Sequence, residues 1–193
     1  MIARWLAVFG LALGVTFEGA RGEEEFNLEE IVALCATCHG EAGLPEDREI
    51  PIIWGQTWYY IYVQLRDYKA GRRANEIMSG IAAGLEKNDM KALASYFSEK
   101  AWPAAQIKAD ETAITKGERQ TVAGQCYRSH STYKGDSRIP RLGGQHREYM
   151  TKTMLDFKNK VRLYSPAKGS LMASYSDEDL KNISEYLANL SVR

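Results

Sequence analysis

Apolar runs are scarce in this chain. After residue 17 none approaches the roughly 20 consecutive apolar positions of a membrane-spanning helix, which excludes a polytopic membrane protein. Long stretches of alternating polarity are lacking as well, and with them the case for a sheet. No charge of one sign dominates: 25 Lys and Arg offset 25 Asp and Glu, and the basic residues of the second half are interleaved with Asp136, Glu148, Asp156 and Asp177. That mixing argues against a nucleic-acid surface. Three cysteines would ordinarily give an exported chain one disulfide and one free thiol, so their spacing decides how they are read.

The single apolar run, Trp5 to Phe17, follows Arg4 and ends near the small residues of Ala20-Arg21-Gly22. This is the pattern of an export signal over residues 1–22, cleaved near Gly22, and it implies a periplasmic protein. An uncleaved anchor is the alternative, although the run is short and Glu18 interrupts it. Residues 23–110 carry 9 basic and 15 acidic side chains, whereas residues 111–193 carry 14 and 9. The mature chain is therefore a charge dipole, suited to steering a protein partner.

The segment Ile50-Pro51-Ile52-Ile53-Trp54-Gly55-Gln56 recurs as Ile139-Pro140-Arg141-Leu142-Gly143-Gly144-Gln145, displaced by 89 positions. The same displacement pairs Tyr60 with Tyr149, Asp67 with Asp156 and Arg73 with Arg162, and it becomes 90 for Leu93 with Ile183 and 91 for Cys35 with Cys126. The chain is an internal duplication. Residues 101–116, with Pro103 and small or polar neighbours, read as the linker between domains at 23–100 and 117–193. Helical periodicity predominates in both: Asn27 is positioned to cap a first helix and Ser176, with Asp179, a last one. Trp58, Tyr59, Tyr60 and Tyr62 cluster on one expected helix as core or cofactor-wall residues.

In Cys35-Ala36-Thr37-Cys38-His39 the thiols stand about one helical turn apart. Both can reach the vinyl groups of one porphyrin while the adjacent imidazole meets the iron, which is covalent haem attachment. A half zinc site would want two further ligands nearby, and a thioredoxin-like pair would want a strand and helix around it. The sixth ligand is expected at Met78, between helices, where a thioether can reach over the ring. Met90 is the alternative, on a helix starting at Asn88 where packing is the commoner fate of a methionine. Pro51 offers a carbonyl that can accept the remaining N–H of His39.

Together, CATCHG, the P-x-x-x-G-Q-x-x-x-Y segment and a methionine before a terminal Tyr-Phe helix, all in two copies, resemble the di-haem cytochrome c4 family. They are also similar to the related cytochrome subunit of flavocytochrome c sulfide dehydrogenase. The resemblance spans the mature chain and implies an all-α fold of two tandem class I cytochrome c-like domains that transfers single electrons. It assigns the haem thioethers to Cys35 and Cys38, the axial iron ligands to His39 and Met78, and the histidine-orienting role to Pro51.

The second copy departs from this pattern. In Cys126-Tyr127-Arg128-Ser129-His130 a hydroxyl replaces the second thiol, so at most one thioether can form. The counterpart of Met78 falls at Ala167 or Lys168, while Met172 lies four to five residues further on. Either the second domain holds a haem through Cys126 and His130 with an unusual sixth ligand, Lys168 or Met172, or it is haem-free and kept for folding or docking. The haem-free reading is preferred.

A His/Met-ligated haem c leaves no open iron position, which describes a carrier rather than an enzyme. Expected partners are redox proteins, namely a membrane oxidase, a reductase or a dehydrogenase, with peripheral membrane contact left open. The alternatives are a subunit of a larger dehydrogenase complex and a haem-based sensor or binding protein.

Overall fold

The computed structural model describes residues 26–103, 109–136, 138–163 and 165–191. The expected export signal lies outside them. Nine α-helices and no strand occur among the described residues. The first unit holds α1 (Leu28–His39), α2 (Trp58–Lys69), α3 (Glu76–Ala83) and α4 (Lys87–Ser98). The second holds α5 (Glu111–Ala123), α6 (Cys126–Ser129), α7 (Arg147–Lys158), α8 (Pro166–Ala173) and α9 (Asp177–Ala188).

Caps fix where these helices begin. Asn27 accepts from the Glu29 amide at 3.1 Å, and Ser176 and Asp179 bond reciprocally at 3.1 and 3.0 Å. The Glu86 amide donates to Asp89 at 2.7 Å, which starts α4 at Lys87, one residue before the expected Asn88. Asp110 caps α5 through the amides of Thr112 and Ala113 at 3.0 and 3.1 Å. Residues 111–116, expected in the linker, are therefore helical: one well-placed acceptor offsets the weak helix propensity of the threonines that follow.

The duplication is visible in the helices. From α2 to α7 the offset is 89 at both ends, and from α3 to α8 and α4 to α9 it is 90. The exception is the first helix of each unit. Continuous α1 corresponds to α5 and α6 with a break between them, where Gln125 adopts the left-handed conformation (φ 52°).

Each unit has its own core. Ile61, Leu65, Met90, Leu93 and Phe97 form the first, and Met150, Leu180, Ile183 and Leu187 are central to the second. Full burial of each such side chain contributes about 1.5–3 kcal/mol. Gly117 lets α5 approach α9, since a Cβ there would collide with the Asn182 carbonyl. Trp58 and Tyr59, expected as core or cofactor-wall residues, are exposed at the start of α2, with Arg138 of the second unit 5.8 Å from the centre of the Tyr59 ring, while the Tyr60 hydroxyl accepts from Arg162 of that unit.

The two units meet about an approximate two-fold relation. Gln56 exchanges hydrogen bonds with the backbone of Arg141 (2.7 and 3.1 Å), and Gln145 does so with the backbone of Ile52 (2.9 and 2.9 Å). The Thr57 hydroxyl donates to Ile139 O at 3.3 Å, matched by His146 Nδ1 to Ile50 O at 3.0 Å. Arg73 donates to the Tyr149 hydroxyl at 3.0 Å and Arg162 to that of Tyr60 at 3.2 Å. Every pair is offset by 89 residues, so one turn-and-helix segment is used twice.

Candidate haem site and its second copy

Helix α1 places Cys35, Cys38 and His39 within one turn of its C-terminal end. Cys35 is half-buried against the first core, Cys38 is exposed, and both are free thiols. Burial, helped by repulsion from Cys38, pushes the Cys35 pKa up to about 11, so it remains a thiol at neutral pH. That is unlike the acidified thiol of a dithiol redox catalyst.

His39 is buried, and its Nδ1 lies 2.8 Å from the Pro51 carbonyl oxygen. A carbonyl can only accept, so Nδ1 carries the proton and Nε2 keeps its lone pair. Burial lowers the imidazole pKa against the opposing effect of the Pro51 bond, which favours the neutral ring a metal requires.

Met78 is not in a loop between helices, as expected. It is the third residue of α3, its amide bonded to the cap Asn75 at 2.9 Å. It packs against the first core, as Cys35 does. Met90 is 3% exposed within that core. Two thiols a turn apart, an imidazole with a free lone pair and a thioether form a donor set that fits covalent haem. Among the described residues no three His, Cys, Asp or Glu side chains cluster as a metal site would need.

The second copy is looser. Cys126 is a half-buried free thiol on the four-residue α6. His130 lies just past that helix, its Nδ1 3.5 Å from Pro140 O, at the limit of a hydrogen bond. Ser131, Thr132 and Tyr133 then follow with φ of 48°, 54° and 68°, a run of strained non-glycine backbone, whereas after His39 positive φ falls on Gly40 and Gly43. Lys168 is the third residue of α8, the position Met78 holds in α3, so the offset of 90 applies and Ala167 is not the counterpart. Its ammonium sits 5.5 Å from the centre of the Phe157 ring, and burial, with Arg162 nearby, lowers its pKa. Met172 packs against the second core as the counterpart of Ala82.

Sequence reasoning missed the interdomain roles of Gln56 and Gln145. The signal was present: a glutamine recurring in an otherwise apolar motif is a polar side chain with a fixed partner.

No protein-family model matches the chain. Over 176 residues it is 31% identical to cytochrome c4 of Thiocapsa roseopersicina, covering 82% of this chain and 88% of that one. The chain belongs to the cytochrome c4 family. Its fold follows that of the crystal structure of reduced recombinant cytochrome c4 from Pseudomonas stutzeri, with a TM-score of 0.77 at 27% identity over 85% of this chain and 97% of that one. A thiosulfate dehydrogenase electron acceptor of Stutzerimonas stutzeri is 27% identical over 201 residues, 95% of this chain and 92% of that one. The cytochrome subunit of sulfide dehydrogenase from Chlorobaculum tepidum is 38% identical over 69 residues, 35% of this chain and 62% of that one. As a member of the cytochrome c4 family the chain is a c-type, haem-bearing electron carrier rather than an enzyme. No helix among the described residues is long and apolar enough to cross a membrane.

Proposed function

We propose that this protein is exported to the periplasm and passes single electrons between redox proteins through one haem c in its first domain. Cys35 and Cys38 would hold the haem by thioethers, and His39 and Met78 would ligate its iron. The observation that carries this is the buried His39 with Nδ1 bonded to Pro51 O at 2.8 Å, on the same helix as two free thiols. Bound there, the haem supplies an iron that cycles between ferrous and ferric. Pro51 fixes the tautomer of His39, and Met78, packed against the first core, would supply the second iron ligand.

The export signal is residues 1–22, the first domain begins at residue 23 and ends at about 100, and the second opens with α5 at Glu111. The second domain is read as haem-free. Ser129, the loose His130 contact and the lysine at the ligand position support this. Its basic surplus suits an acidic partner face. A second reading, electron-accepting subunit of a dehydrogenase, is favoured by the likeness to a thiosulfate dehydrogenase electron acceptor.

Intact mass of the exported protein from a host competent in cytochrome maturation tests both readings of the haem. One haem mapped to the peptide with Cys35 and Cys38, unchanged by Cys126→Ala, is expected. A colourless protein would refute the function, and a second haem on the Cys126 peptide would refute the haem-free domain.

A further inference from the structure

The peptide unit between Pro51 and Ile52 is engaged at both ends. Its oxygen accepts from His39 Nδ1 at 2.8 Å, and its N–H donates to Gln145 Oε1 at 2.9 Å. Ile52 and Gln145 are 1% and 2% exposed, so water does not compete for the Gln145 bond. Gln145 is itself held in place: its Nε2 donates to Ile52 O at 2.9 Å, and its Oε1 also accepts from the His146 amide at 2.9 Å. An amide that donates its N–H becomes a better acceptor at its oxygen, because both bonds draw the same π electrons towards oxygen. A glutamine of the second domain thus stands in series with the imidazole of the first.

We propose that Gln145 is a positioning residue for the iron site of the first domain: through the Pro51–Ile52 peptide it strengthens the pull on the His39 Nδ1 proton, so the second domain tunes the first domain's redox potential. The proposal rests on the reading of His39 as proximal ligand. An imidazole with more imidazolate character is a stronger donor and favours ferric over ferrous iron. The mirror chain runs from His130 through the Pro140–Arg141 peptide to Gln56. It is tight at the glutamine (2.7 Å) but slack at the imidazole (3.5 Å), so the relay is intact only towards the first domain. A second domain whose own haem residues have degenerated keeps a function in this way.

The test is redox titration of the haem-loaded full chain, with the haem peptide identified by mass. Gln145→Leu is expected to raise the ferrous-to-ferric ratio at fixed ambient potential about two- to fivefold, less than the loss seen when a direct partner of a ligand is removed. Gln145→Glu keeps an acceptor oxygen for the Ile52 N–H and is expected to hold the wild-type ratio or move it towards ferric. Gln56→Leu breaks the mirror bonds and loosens the interface equally, and is expected to leave the first haem's ratio unchanged. His39 ring signals in the paramagnetic NMR spectrum should move in Gln145→Leu and not in Gln56→Leu.

An unchanged ratio in Gln145→Leu, or equal shifts in the two leucine variants, would overturn the proposal. If Gln145→Leu does not accumulate, a displacement of Gln145→Glu towards ferrous overturns it just as well. Absence of haem from the Cys35 and Cys38 peptide would sink the functional reading itself, and the mass measurement detects that separately.

Discussion

Replacing His146 by threonine should make the protein less sensitive to acid. His146 is 0% exposed, donates from Nδ1 to Ile50 O across the domain interface at 3.0 Å, and has no partner for Nε2 among the described residues. The neutral ring tolerates this, because a bare Nε2 carries no hydrogen. Protonation would create a buried, charged N–H with nothing to accept it, at a cost of about 1–3 kcal/mol. Burial and Arg48 lower the His146 pKa, and the Ile50 bond with Glu148 and Asp47 opposes them without reversing the sign. The unfolded chain therefore binds this proton more readily than the folded one. Stability is full above the ordinary histidine pKa of about 6.5 and is lost as pH falls from there through the lower folded value. Thr57, the counterpart of His146, makes the equivalent bond to Ile139 O at 3.3 Å with a hydroxyl that does not titrate. His146→Thr should thus keep the bond and lose the proton. Thermal unfolding followed by circular dichroism from about pH 7 to about pH 5 should show the wild type losing roughly 2–10 °C more than the variant. Other histidines contribute equally to both proteins and cancel. Parallel loss of melting temperature in the two would refute the reasoning.

Other expectations concern the site and the core. Met78→Ala should open the distal side of the first haem, so that the reduced variant binds carbon monoxide and the wild type does not at that haem, as absorbance spectra will show. Leu93 is 1% exposed, and Leu93→Ala should destabilise the first domain by about 2–5 kcal/mol in urea unfolding. Gly117→Val should drive α5 off α9 and cost about 1–3 kcal/mol, without altering the haem peptide found by mass.

The duplication, the helical class and the bond between His39 and Pro51 were legible because each leaves a local mark, in a repeat, a cap or a fixed spacing. Asn27 and Ser176 announce their helices through their own side chains. Three features were not legible. A helix starting at Glu111 depends on one acceptor, Asp110, in a segment whose composition resembles a linker. Met78 sits in a helix of eight residues, too short for periodicity to show. The counterpart of Met78 stayed ambiguous between two residues because flanking anchors gave offsets of 89 and 90, and matching helix ends resolve it to Lys168.

Contacts that recur at one constant offset have the logic of an isologous dimer, in which the same patch lies on both partners. Here the partners are covalently joined, so pairing no longer depends on concentration, and either half can change its chemistry while the other keeps its own. Insertions or deletions between Arg48 and Arg73, or in the matching stretch of the other half, would break contacts on both sides at once. From α3 to α8 the offset is 90, so the change in length falls outside that stretch.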